Sequence, residues 1–322
     1  MSAFDNLSGA TFGTLTFGVT SMNGLGLNPA AILAGDAHGP LDTGTKVIID
    51  VAGEMTGEVA GTFTGSDYAN VHGGTVFVNT YGLLVTDEGE RLAVRILGEV
   101  TGGEMRADVQ LRNYGAMASL NTRRLLAVGP VDATGSATLT IYESDADAPF
   151  ADPDLSTVDY ANFPYKLEDL QDKPEIWSVY SGEGRLLGAE SFGVDVMAIF
   201  GGQVQIPDEG IRLNGYFAGP AAGGVNGAIL GRNFQTVTPD GASHINSKII
   251  VRTFDGETLL VEAQGGMFPQ TGASWWETNR TVSNQPRYAE AARRYNVGVG
   301  STDVASGQIF YNHFSFATNP FA

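Results

Sequence analysis

The sequence predicts an all-β protein made of two tandem antiparallel β-barrels with few short helices. Three observations lead there. Glycine is frequent, 43 of 322 residues, without the three-residue period of collagen, and it is interspersed with Val, Thr, Phe and Tyr, the composition of short strands joined by tight turns. Two blocks of sequence recur in the same order. Helical periodicity is sparse, while β-branched and aromatic runs end repeatedly at turn residues.

The repeat sets the domain boundaries. Gly61 matches Gly227, Gly65 matches Gly231 and Asp67-Tyr68 matches Asn233-Phe234, all 166 residues apart. After a one-residue insertion, Gly74 matches Gly241, Asn79 matches Asn246 and Gly89-Glu90 matches Gly256-Glu257. In a second block, Arg123-Arg124 falls on Arg293-Arg294 and Asp132 on Asp303. The chain therefore divides into a first barrel over 1–143, an Asp- and Pro-rich linker over 144–175 and a second barrel over 176–322.

Within the repeat, Thr75–Val85 reads as a strand closed by the turn Asp87-Glu88-Gly89, with Arg91–Leu97 returning. Its counterpart is Ser243–Thr253, closed by Phe254-Asp255-Gly256, with Thr258–Ala263 returning. Asp87, Glu90, Asp255 and Glu257 suit turn geometry. Pro286 and the alanines after it mark a helix over Gln285–Tyr295. Met267–Arg287 reads as a long loop in which the adjacent Trp275-Trp276 form a lid over an apolar ligand or an interface.

Charge and composition restrict the function. The net charge is −18, which opposes nucleic acid and anionic lipid. No cysteine is present, which excludes disulfides, thiolate nucleophiles and cysteine metal sites. The start, MSAFDNLSGATFG, lacks the pattern of a secretory signal, and no run of about 18 apolar residues could span a membrane. A cytoplasmic protein without nucleic-acid or membrane partners is expected, and a homo-oligomer is compatible with the sequence. The four histidines, His38, His72, His244 and His313, are dispersed, so no metal site is expected. Nucleophile-elbow, phosphate-loop and zinc-protease motifs are missing.

The motif Gly61-x-x-x-Gly65-x-Asp67-Tyr68, with Leu120-Asn121 and Val128-Gly129 further on, resembles an uncharacterised bacterial domain family. That family resembles allene oxide cyclase and dirigent proteins, and the resemblance implies a small antiparallel barrel. The family pattern Gly-Gly-Ala-Asp-Trp corresponds to Thr64-Gly65-Ser66-Asp67-Tyr68. Its Leu-Asp-Ala-Arg-Tyr corresponds to Val78-Asn79-Thr80-Tyr81, and its Trp-Leu-Asn to Ser119-Leu120-Asn121. The second copy departs: Asn233 stands for the Asp, Ile245-Asn246-Ser247-Lys248 carries Lys for the Arg, and the third motif is lost before Val297-Gly298. The two barrels are thus not equivalent.

What remains available is acid–base chemistry without a cofactor, in an apolar cavity that moves carboxylate and amine pKa values toward neutrality. Strand alternation leaves two faces open for the lumen. One carries Phe77, Asn79, Tyr81 and Leu83 in copy one, and His244, Asn246, Lys248 and Ile250 in copy two; the expectation places this face inside. Asp67 is the candidate proton carrier, with Tyr81, Asn79 and Asn121 polarising a substrate oxygen. His244 and Lys248 are the rival pair in copy two. Tyr68, Phe77, Asn246, Trp275 and Trp276 are the candidate substrate-binding residues. The reading is a lyase, isomerase or cyclase acting on a small, largely apolar oxygenated molecule. A non-catalytic binding or steering protein and a hydrolase that activates water are the alternatives.

Overall fold

The computed structural model describes residues 10–145, 177–268 and 274–318, with Phe4, Leu7, Pro149, Phe150 and Gly272. Most of the linker expected over 144–175 lies outside the described residues. The chain forms two compact units, one built on each barrel.

Each barrel is an eight-stranded meander in which every strand pairs antiparallel with its neighbours in sequence. Barrel one runs β1 (Thr11–Asn23), β2 (Thr45–Gly57), β3 (Gly61–His72), β4 (Thr75–Thr86), β5 (Arg91–Thr101), β6 (Glu104–Arg112), β7 (Leu125–Pro130) and β8 (Ala137–Glu143), with β8 closing on β1. Barrel two runs β9 (Trp177–Ser191), β10 (Ile211–Ala221), β11 (Gly227–Val237), β12 (Ser243–Thr253), β13 (Thr258–Met267), β14 (Ser274–Val282), β15 (Tyr295–Asp303) and β16 (Gln308–Phe316), with β16 closing on β9. Closure leaves no sheet edge unpaired.

The duplication extends to single hydrogen bonds. After β4, Thr86 Oγ1 accepts from the Glu90 N–H at 3.1 Å, with Gly89 at φ +87°; after β12, Thr253 Oγ1 accepts from the Glu257 N–H at 2.9 Å, with Gly256 at φ +91°. Asp132 Oδ1 accepts from the Thr134 N–H at 2.8 Å, and Asp303 Oδ1 from the Ala305 N–H at 3.0 Å. Both turns need the short carboxylate side chain that folds back on its own backbone.

A third shared device lies in the wall. The β3–β4 ladder opens between the Asp67–Thr80 and Asn70–Phe77 pairs, and Asp67 Oδ1 accepts the Asn79 N–H at 2.6 Å. The β11–β12 ladder opens between the Asn233–Ser247 and Thr236–His244 pairs, where Asn233 Oδ1 accepts the Asn246 N–H at 3.0 Å. A side-chain oxygen clips each opening, so a buried backbone donor stays satisfied.

Helices are few and short. α1 (Pro29–Ala34) starts at Asn28, whose Oδ1 accepts from the Ala30 N–H at 2.9 Å, and ends at Gly35 with φ +78°. α2 (Val196–Phe200) is capped by Asp195, which accepts from the Ala198 N–H at 2.9 Å. The helix expected over Gln285–Tyr295 is a single 3-10 turn, Pro286–Tyr288, that runs into α3 (Ala289–Arg293). The expected long loop over Met267–Arg287 is corrected, because β14 runs through its middle and takes its place in the second barrel. No helix among the described residues is long and apolar enough to cross a membrane.

The clip yields a stability prediction. Asn233→Leu leaves the Asn246 N–H without its acceptor and should lower stability by about 1–3 kcal/mol. Denaturant titration checks this, and an unchanged midpoint would contradict the clip.

Candidate functional site

The pleat settles which side chains meet a ligand. In β4 the lumen face is Val76, Val78 and Thr80, and in β12 it is Ser243, Ile245, Ser247 and Ile249. The face expected inside therefore lies outside in both barrels. Asn79 accepts a hydrogen bond from Arg95, whose guanidinium carbon lies 3.7 Å from the centre of the Tyr81 ring. Tyr68 meets Tyr81 edge-on at 6.3 Å, and Phe77 is exposed. Lys248 is paired with Glu262 at 3.4 Å, His244 lies edge-on to Phe268, and Asn246 serves the β11–β12 clip through its N–H. Asn121 sits in a 3-10 turn, Ala118–Thr122, and accepts from the Asn113 N–H at 2.9 Å.

The tryptophans also separate. Trp276 is wholly buried on the outer face beside Phe268, whereas Trp275 faces the lumen and donates from Nε1 to Thr302 Oγ1 at 3.2 Å. Neither belongs to a lid loop. Of the residues expected at a site, Asp67 and Trp275 line cavities, one in each barrel.

Barrel two encloses a cavity of about 390 Å³. The exposed Met197 of α2 and the exposed Leu187 of β9 are among its lining residues. Deeper in, one register row runs Gly265, Glu277, Gly298, His313, Tyr180 across β13, β14, β15, β16 and β9. Barrel one has Gly98, Ala107, Ala127, Ile141, Gly13 along the same row. The adjacent row carries Asn279 and Asn296 where barrel one carries Val109 and Leu125. Five apolar or glycine positions of barrel one thus hold Glu277, Asn279, Asn296, His313 and Tyr180 in barrel two. Gly298 makes the exchange possible, since a Cβ there would lie 2.8 Å from Glu277 Oε1 and 3.0 Å from His313 Cε1.

The cluster is mostly buried. Glu277 and His313 are buried, with Glu277 Oε1 3.6 Å from His313 Nε2 and forming no hydrogen bond. The Tyr180 ring stacks on the His313 ring at 4.3 Å. The Asn279 amide nitrogen lies 3.0 Å from His313 Nδ1. Donation from that amide leaves Nδ1 unprotonated and places the ring proton on Nε2, facing Glu277. Burial pushes the Glu277 carboxyl up to about 8 and the His313 imidazole down to about 3. At neutral pH the pair is a protonated carboxyl beside a neutral imidazole.

Barrel one encloses a cavity of about 720 Å³, with a mouth covered by α1 and the Asp132–Gly135 turn. Asp67 lies in its wall, pushed up to about 6 by burial, with the Asn79 N–H, Lys46 and Arg95 opposing that rise. Among the described residues no three His, Asp or Glu gather to hold a metal ion.

The chain is similar in structure to a protein of unknown function from Clostridium acetobutylicum, with 18% identity over 44% of this chain and 99% of that one and a TM-score of 0.37. It is similar to a conserved protein of unknown function from Rhodopseudomonas palustris, with 17% identity over 44% and 97% and a TM-score of 0.36. A β-barrel-like protein from Acinetobacter baumannii matches with 16% identity over 45% and 98% and a TM-score of 0.36. No protein-family model and no curated protein matches the sequence.

The buried pair makes stability depend on pH. Glu277 keeps its proton to about pH 8 in the fold but loses it near 4.5 when unfolded, so its stabilising contribution declines as pH rises from 4.5 to 8. His313, lowered from 6.5 to about 3, contributes stability above pH 6.5 that is lost as pH falls toward 3. Between pH 6.5 and 8 only the Glu277 decline operates within the pair. Glu277→Gln should flatten the loss of stability over that window in thermal melts at stepped pH. Equal slopes in the two proteins would contradict the assignment.

Proposed function

We propose that barrel two is a chamber for acid–base chemistry on a small, largely apolar oxygenated molecule, a lyase, isomerase or cyclase step. One observation carries the reading: five polar side chains replace apolar or glycine residues of the sister barrel on two adjacent register rows, and two of them, Glu277 and His313, line the cavity. Burying such groups without full hydrogen bonding costs free energy. Barrel one shows that the same fold closes without them. The repeat motifs resemble an uncharacterised bacterial family whose fold resembles allene oxide cyclase and dirigent barrels, and that resemblance is compatible with the same class of substrate.

Glu277 is the proton carrier. Its neutral carboxyl donates to a substrate oxygen, and the carboxylate left behind takes a proton back from a neighbouring carbon or oxygen. The proton count closes without a net acid or base, as an isomerisation, cyclisation or elimination requires. His313 positions the carboxyl: its Nε2–H faces Oε1 and stabilises the carboxylate formed in mid-reaction. Trp275, Ile249 and Phe217 in the cavity wall take the apolar body of the substrate. The apolar character of that wall also favours the second reading, a steering protein that shapes a ligand without moving its protons.

The test is a screen of aromatic and terpenoid substrates without added cofactor. Glu277→Gln should lower turnover by roughly 10²–10⁴-fold, with a smaller loss for His313→Asn and a shifted pH profile. Loss of turnover in Asp67→Asn with retention in Glu277→Gln would move the chemistry to barrel one and contradict the proposal.

A further inference from the structure

Asp67 presents a problem that barrel two solves more cheaply. Its structural task is to accept the Asn79 N–H at the ladder opening, at 2.6 Å. At the matching place Asn233 does the same for Asn246, at 3.0 Å, with a neutral amide. The clip therefore needs a side-chain oxygen and not a charge. Yet barrel one keeps a carboxylate there, buried and facing a cavity of about 720 Å³ whose wall is mostly apolar, with Phe17, Ile49, Val51, Phe63, Val78 and Ile96; the Thr80 side chain, also in the wall, hydrogen-bonds to Asp67 and favours its ionised form. Burial raises its pKa only to about 6, so it is largely ionised at neutral pH.

The charge has no cation in the lumen. Among the described residues no Lys or Arg lines this cavity. Lys46 and Arg95 act on Asp67 through the wall, from positions that share the outer face with Asn70 and Tyr81. Asp132 at the mouth is occupied by its own turn, accepting from the N–H groups of Thr134 and Ser136. Two aromatic rings, Phe17 and Phe63, line the same cavity with centroids 6.1 Å apart. A buried carboxylate with aromatic faces in an apolar chamber is the setting that receives a cation attached to a hydrocarbon body.

We propose that barrel one is a separate binding site for a small hydrophobic amine, whose ammonium group pairs with Asp67 while its apolar body fills the lumen. The site uses no residue of the Glu277–His313 cluster and stands whether or not barrel two is catalytic. The cavity volume falls in the range that encloses a ligand of ten to twenty heavy atoms, about the size of one or two fused rings with a short arm.

The experiment compares two isosteric probes on the full chain by isothermal titration calorimetry near neutral pH: 1-naphthylmethylamine, charged, and 1-naphthylmethanol, neutral. The amine should bind at one site roughly tenfold more tightly than the alcohol, or better. Asp67→Asn, which copies the clip of barrel two and so preserves the fold, should bring the amine down to the level of the alcohol. Val78→Trp, which fills the lumen and leaves the clip alone, should abolish the preference for the amine over the alcohol. Glu277→Gln should leave the preference for the amine unchanged, which separates this site from the chamber in barrel two. Equal affinity of amine and alcohol for the native chain would overturn the proposal. So would a preference that survives Asp67→Asn or Val78→Trp, or a preference that disappears with Glu277→Gln.

Discussion

In a strand closed into a barrel, residues two apart share a fate. One set faces a lumen cut off from water, and the other faces outward. An ionisable group in the first set is stripped of its hydration and moves toward neutrality, the carboxyl upward and the imidazole downward. Glu277, His313 and Asp67 all stand in this set. Lys248 and Arg95 are just as buried but stand in the second set, where Glu262 and Tyr81 neutralise or cover them. Burial alone does not make a site; burial on the inward face does.

Much of the fold was legible in the sequence. The recurrence of Gly61, Gly65 and Asp67 as Gly227, Gly231 and Asn233 located two barrels, and the hairpins at Thr75–Val85 and Ser243–Thr253 fall on β4 and β12. The site was legible only in part. Asp67 was found because it stands inside a repeat motif. Asn79, Tyr81, His244 and Lys248 were assigned to the lumen because both faces of their strands are half apolar, so alternation alone could not choose a side. Glu277 stays hidden in the sequence as long as Met267–Arg287 reads as a loop. A signal existed: the spacing that aligns Arg123-Arg124 with Arg293-Arg294 also sets Ala107 against Glu277 and Val109 against Asn279. Extending the second block backward by a strand would have exposed an acid facing an alanine. His313 was set aside because the histidines are dispersed in sequence, whereas closure of the barrel brings β16 beside β9 and places Tyr180 on its ring.

The two barrels show how a duplicated frame is divided between tasks. Shared elements are the ones that hold the frame: the turns at Gly89 and Gly256, the Asp132 and Asp303 turns, and the clips at Asp67 and Asn233. The lumens differ in chemistry. Barrel one carries one buried carboxylate, Asp67, in a large, mostly apolar space; barrel two carries a smaller cavity lined at depth by Glu277 and His313, made possible where Ala127 gives way to Gly298. Each barrel thus serves as the control for the other, since a residue at one register position in one copy reports what the fold itself requires in the second.

The account rests on a carboxyl that stays protonated at neutral pH inside barrel two. Carbon-detected NMR of protein labelled at the glutamate side-chain carboxyl, followed across pH and assigned by comparison with Glu277→Gln, measures this directly. The account predicts one carboxyl resonance, absent in the variant, that titrates near pH 8. Titration of that resonance in the ordinary carboxylate range, near 4.5, would contradict it.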